Sequence, residues 1–268
     1  MAPDDHRAHH VDEADLLPAL PAATLVVYHD DGSTAPPRLL MVRRAETMAF
    51  AAGMAVFPGG RVDADDGALA AGHAERLGLS IEDAAARVAA IRETLEETGL
   101  AVGISGVDAA GLRAMREGLL ADALFSGLIA QSGAALDLGA LAPFSRWRPN
   151  FAHSRIFDTR FYIASVAGPL PELSIVEREN SALFWTDAAS ALAMADAGDI
   201  AVIFPTRRNL ERLTQYVNYA ELLASTRRFP AHRITPFVII ENGQRFLCIR
   251  DDCDYPVTRE PYDSALRG

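Results

Sequence analysis

The chemistry that stands out in this chain lies in one short run, Arg92-Glu93-Thr94-Leu95-Glu96-Glu97-Thr98-Gly99-Leu100. Wound as an α-helix at about 100° per residue, the run and the residues just before it place Val88, Ile91 and Leu95 on one stripe and Glu93, Glu96 and Glu97 on the other side. The three carboxylates then converge at i, i+3 and i+4, with Arg92 in reach of Glu96 one turn on. Acids at the C-terminal end of a helix oppose its macrodipole, and neighbouring carboxylates repel one another. A hard divalent cation removes both penalties, because Mg²⁺ and Mn²⁺ take oxygen ligands. A cation so held polarises a phosphoryl oxygen and lowers the pKa of its bound water. The competing reading is an ordinary solvated helix face, and the residues upstream decide between the two.

The helix itself is well framed. Ser80-Ile81-Glu82-Asp83 has the form of a capping box, and Gly99 stands where a left-handed C-cap belongs, so the spacing predicts a helix from about 81 to 98. Upstream, Ala22 to Tyr28 and Leu39 to Val42 read as strands, and Ala55 to Phe57 is a short apolar run stopped by Pro58-Gly59-Gly60. A polar, glycine-bearing stretch follows, as far as Ser80. Downstream, residues from about 108 to 131 read as a helical region, with Leu112, Met115 and Leu119 at helical spacing. Ile156 to Val166 and Ala182 to Trp185 are strand candidates; Asp187 caps a short helix and Thr206 a longer one. Pro236 to Ile240 and Arg245 to Ile249 flank Asn242-Gly243, a hairpin signal. Mixed strands and helices place the chain in the α/β or α+β class.

Composition narrows the function. The chain has 268 residues and a net charge of −11, and each of its 25 basic residues is an arginine. Such a balance argues against non-specific nucleic-acid binding. The absence of lysine removes Schiff-base and Walker-type lysine chemistry, so anions must be held by Arg, backbone N–H groups or metal ions. No run of about 18 apolar residues suggests a membrane span, and the acidic start does not read as a secretory signal, so a cytoplasmic protein is expected. Cys248 and Cys253 cannot build a disulfide framework or a four-cysteine zinc site and read as two thiols. His29, His73, His153 and His232 show no metal spacing. Trp147, Phe151, Phe161 and Tyr162 read as core in preference to a nucleobase wall.

Phe57-Pro58-Gly59-Gly60 followed by the glutamate run resembles the Nudix box, whose pattern is G-x5-E-x7-R-E-U-x-E-E-x-G-U with U aliphatic. Thr94 occupies the first U position, Gly60 the opening Gly, and Asp66 stands where the pattern has its first Glu. Gly60 and Arg92 lie 32 positions apart, 18 more than in the pattern. An insertion inside the box is similar to that of the branch of peroxisomal-type coenzyme A diphosphatases. Arg43-Arg44, Met48, Phe50, Gly53, Val56 to Asp63, Phe157 to Tyr162 and Phe204-Pro205-Thr206 resemble further landmarks of that branch. Met54 stands where its signature carries Gln.

The resemblance implies a Nudix-type α/β/α sandwich: a mixed β-sheet between helices and a loop-helix-loop catalytic motif. It divides the chain into a flexible lead (1–18), a Nudix hydrolase domain (19–225; box 60–100 with insertion 64–80, helical insertion about 108–131) and a C-terminal β-hairpin extension (226–268). That extension would complete the sheet, form a homodimer edge or cover the site. The implied activity is Mg²⁺- or Mn²⁺-dependent hydrolysis of a diphosphate linkage in a nucleoside diphosphate derivative, of the coenzyme A or acyl-coenzyme A type. The alternatives are ADP-ribose, NADH or nucleoside triphosphates, or a non-catalytic ligand-binding module. The implied metal ligands are Glu93, Glu96, Glu97 and the Gly60 carbonyl, with Arg92 orienting them. The general base is Glu93 or Glu179, with Glu177 in reserve. Arg43, Arg44, Arg155 and Arg160 are the candidates for substrate phosphate. The partner is a small nucleotide-type molecule, not nucleic acid or membrane.

Overall fold

The computed structural model describes residues 15–29, 36–45, 53–151, 155–171, 173 and 180–265. In chain order the elements are β1 (Leu20–His29), β2 (Arg38–Arg44), β3 (Ala55–Val56), β4 (Gly59–Arg61), α1 (Ala64–Leu77), α2 (Ile81–Thr98), β5 (Ile104–Ser105), α3 (Ala109–Leu120), α4 (Phe125–Ser132), β6 (Ala135–Leu136), β7 (Ala142–Trp147), β8 (Phe157–Val166), β9 (Asn180–Thr186), α5 (Ala188–Ala197), α6 (Phe204–Leu213), α7 (Tyr219–Arg228), β10 (Arg233–Ile234), β11 (Phe237–Glu241), β12 (Gln244–Cys248), β13 (Arg259–Pro261) and α8 (Tyr262–Ala265). Helices and a mixed sheet make the α+β class.

β1 is the centre of an eight-stranded sheet. Along one edge it runs parallel to β8, from Leu20 opposite Phe157 to His29 opposite Val166. Its other edge is shared. β4 pairs antiparallel with Ala22 to Thr24, and β2 pairs antiparallel with Tyr28 and His29. β9 lies on the far side of β2, and β7 and β10 extend the sheet beyond β8. β1 is buried on both faces, which explains its nearly unbroken apolar run. Ala23, Leu25 and Val27 join Val88, Ile91 and Leu95 of α2 in one core. Val26 and Tyr28 join Leu210, Leu213 and Leu222 in a second core on the opposite face. The result is a helix–sheet–helix sandwich.

α2 forms as its caps predict: Ser80 Oγ accepts from the Asp83 N–H, and Gly99 is left-handed with φ 78°. It is buried nearly all round, not on one stripe only, because alanines at 84, 85, 86, 89 and 90 let α1 and the sheet approach closely. Tyr162 on β8 donates to Asp83, and Arg87 donates to Asp83 and to the Leu138 carbonyl, so the helix start is pinned to the sheet.

Four expectations change. Thr206 is not a cap but lies inside α6, whose N-cap is Ile203. The polar stretch before Ser80 is a 14-residue helix, α1, with a reciprocal Asp63–Asp66 capping box and a left-handed Gly78. The helical region near 108–131 is two helices, broken where Asp122 takes φ 59°. The C-terminal hairpin does form, with positive φ at Asn242 and Gly243. It does not complete the main sheet, however: β13 joins it in a separate three-stranded sheet, whose Leu247, Cys248 and neighbouring Ile249 are buried. Within 226–268, the last residues of α7 and all of β10 belong to the main body, β10 pairing with β7. No helix among the described residues is long and apolar enough to cross a membrane.

Candidate active site

The site is built where α2 passes over the Gly59-Gly60 strand β4. Its anchor is Asp66, the first-turn acid of α1. Asp66 is fully buried and receives two hydrogen bonds from Arg92, at 2.9 and 3.0 Å, and one from the Asp63 N–H at 2.8 Å. Arg92 also donates to the Arg61 carbonyl at 3.0 Å. Burial opposes the Arg92 charge, but Asp66 and Glu93 outweigh it and raise its pKa above the usual arginine value. The 18 extra residues therefore fall after Asp66, which keeps its spacing from Gly60 and its partner Arg92. They bulge out as α1 without displacing the acid.

Two glycines matter here, for different reasons. Gly59 has φ 156°, and a Cβ there would lie 2.3 Å from the Ala23 carbonyl oxygen. A Cβ on Gly60 would lie 2.4 Å from Glu93 Oε1, so only glycine lets this backbone sit against that carboxylate. The Gly59 N–H donates to Glu97 Oε2 at 3.0 Å. Glu97 is buried and is pushed up to about 8, first by burial and then by the charge of Glu93; the Gly59 N–H, Arg44 and Asn180 pull the other way.

The three carboxylates lie on one helix but do not form a closed cluster. Among the described residues no group of three or more His, Cys, Asp or Glu side chains could hold a metal as arranged. The reason is that Arg92 draws Glu93 and Glu96 to one side while Glu97 is drawn to a backbone N–H on the other. Arg92 holds Glu93 at 2.8 Å and reaches Glu96 only at 3.7 Å, while Glu97 turns to Gly59. The donor set still suits a hard cation: carboxylates on one helix, a backbone cradle at Gly60 that a Cβ would fill, and a buried acid whose charge burial and Glu93 together disfavour.

The candidate arginines separate. Arg44, on the α2 side of β2, acts electrostatically on Glu97. Arg43 alternates to the opposite face and donates to the Asp199 carbonyl. Arg160 lines a cavity of about 360 Å³ at the start of α2, with Arg146, Arg148, Asp158, Ile81 and Glu82. Arg146 and Asp158 are paired there at 2.7 and 2.8 Å. This cavity touches α2 no further along than Ala85, two turns before Glu93, about 12 Å along the axis. Arg155 is exposed just before β8. Glu177, Glu179, Met48, Phe50 and His153 lie outside the described residues. Trp147, Phe161 and Tyr162 are core residues, as expected.

Asn180, whose side chain acts on Glu97 and which the sequence did not single out, opens β9. Opposite Arg44 the β2–β9 register slips, so that Asn180, and not Ser181, faces Arg44. A slip of one residue exchanges the faces of a strand, and no local sequence signal announces it.

No protein-family model matches the chain, and no curated protein sequence matches it. Solved structures do. A Nudix hydrolase from Alicyclobacillus acidocaldarius is 29% identical, with 77% of this chain and 96% of that one aligned and a TM-score of 0.67. A MutT protein from Methanosarcina mazei Go1 is 14% identical over 66% of this chain and 83% of its own, with a TM-score of 0.38. The Nudix domain of Shewanella oneidensis NrtR, complexed with ADP ribose, is 15% identical over 72% and 88%, with a TM-score of 0.37. On the sandwich just described and its likeness to the first of these, the chain has the Nudix fold and is a hydrolase of the Nudix type.

Proposed function

We propose that the chain hydrolyses a diphosphate linkage in a nucleoside diphosphate derivative, with coenzyme A or acyl-coenzyme A as the favoured substrate type. The observation that carries this reading is the seating of Glu93 and Glu97 against Gly59-Gly60, where a side chain would fill the cradle. A Mg²⁺ or Mn²⁺ held by Glu93, Glu96, Glu97 and the Gly60 carbonyl would supply positive charge to the phosphoryl oxygens and acidify a bound water. The chain, at −11, needs that reversal of sign to receive a polyanion. Arg92 keeps Glu93 and Glu96 turned toward the site through charge-assisted contacts. Arg44 faces the substrate phosphates from β2. Glu93 or Glu179 would accept the proton of the attacking water.

A panel of coenzyme A, acyl-coenzyme A, ADP-ribose, NADH and dinucleoside polyphosphates, with mass detection of products, tests substrate class. The site is tested separately. Glu96→Gln and Glu97→Gln each lose at least about a hundredfold in turnover with Mg²⁺ while their unfolding temperatures stay near the parent's. Full activity in both variants overturns the site. Tight Mn²⁺ and nucleotide binding by the parent with no product from any substrate identifies a binding module instead.

A further inference from the structure

Asn180 is 1% exposed, and neither atom of its side-chain amide has a hydrogen-bond partner among the described residues. The buried Nε of Arg44, directly across the strand pair, also lacks one. Both groups act on Glu97, Asn180 through its side chain and Arg44 through its charge. A buried amide left unsatisfied costs stability, and an apolar residue of the same size would remove that cost. Its position is also not a default of the strand. The bulge at Asn180 and Ser181 turns this side chain onto the α2 face opposite Arg44.

We infer that Asn180 and Arg44 form a two-pronged donor site for a non-bridging oxygen of the substrate's diphosphate, beside the carboxylates of α2. An amide N–H₂ and a guanidinium Nε–H present donors to an anion from adjacent strands, which fixes the diphosphate in register with Glu97. This rests on the diphosphatase reading above and adds a substrate-binding residue to it.

The test measures two ligands separately by calorimetry: Mn²⁺ alone, and methylenediphosphonate, a non-hydrolysable diphosphate, in saturating Mg²⁺. Asn180→Leu should weaken methylenediphosphonate binding about tenfold or more. Its Mn²⁺ affinity should stay within about twofold of the parent's, and its unfolding temperature should stay level or rise. Asn180→Asp keeps the side-chain shape and sets a negative charge against the diphosphate; it should lose methylenediphosphonate and retain Mn²⁺. This second variant stands in should the leucine form fail to fold. If the parent binds neither ligand, the diphosphatase reading fails and this inference with it. If the parent binds both and the Asn180 variants bind methylenediphosphonate equally well, this inference alone is overturned. It is overturned too if Asn180→Leu unfolds several degrees lower and loses Mn²⁺ in proportion, because the amide is then structural.

Discussion

Two adjacent glycines make opposite demands on the same strand. Gly59 needs a backbone conformation that side chains rarely adopt, and its missing Cβ faces backbone atoms of Ala23 and Thr24 that cannot move aside. Gly60 has an ordinary backbone, and its missing Cβ faces the end of the Glu93 side chain, which can. Gly59→Ala should therefore cost at least about 3 kcal/mol of folding stability, the sum of strain and clash. Gly60→Ala should cost less than about 1 kcal/mol, yet displace Glu93 and reduce Mn²⁺ affinity. Urea unfolding and Mn²⁺ titration separate the two. Equal stability losses would show that the Glu93 carboxylate is as fixed as the backbone. The box residues and Gly60 were legible in the sequence because their chemistry is carried by type and spacing within one helix and one turn. Asn180 was not, because its placement depends on how two distant strands slip past each other.

At the level of elements, the same contrast holds between the two helices of the box. α2 was legible from its caps and its Val88, Ile91 and Leu95 stripe. α1 was hidden because its buried contacts are Ala70 and Ala74, too small to mark a face, and because Gly67 and Gly72 interrupt it. Its Asp63–Asp66 box and Gly78 were signals that could have found it. The two interior glycines serve no steric need: a Cβ at either position meets nothing within 4 Å. Gly67→Ala and Gly72→Ala should each raise stability by about 0.5–1 kcal/mol, by relieving the entropic cost of glycine in a helix, and leave Mn²⁺ binding unchanged. A destabilised double variant would mean that α1 is not helical through residues 67–72. The helix matters to the site through its first turn alone, where Asp66 holds Arg92; the rest of its length covers the alanine surface of α2.

Across the whole molecule, the sheet divides two cores that do different work. One carries α2 and the carboxylates; the other closes over α6 with the C-terminal three-stranded sheet. That second closure is polar as well as apolar. Arg208 reaches Glu260 at 3.0 Å, Arg212 reaches Asp254 at 3.4 Å, and Tyr255 donates to Asn209 at 2.7 Å. Both arginines are almost wholly buried, so removing their partners would leave uncompensated charge inside the protein. The C-terminal segment is thus part of the folded body, and its two cysteines report on it. Cys248 and Cys253 are buried free thiols. Burial raises both pKa values, that of Cys253 from 9.0 to about 12. A thiol with a raised pKa is protonated over a wider pH range, so at pH 8 the reactive thiolate of Cys253 should be scarcer than in the unfolded chain by about a thousandfold. Iodoacetamide at pH 8 should label neither cysteine appreciably in the native protein and both in strong denaturant. The rate at intermediate denaturant should follow unfolding of the second core. Adding Mn²⁺ should slow that labelling if the carboxylate core and the C-terminal sheet unfold as one unit, because a ligand bound to the native state alone stabilises everything that must open with it. Labelling of native Cys253 at the unfolded rate would show that residues 237–261 open independently, and the two cores would then have to be treated as separate folding units.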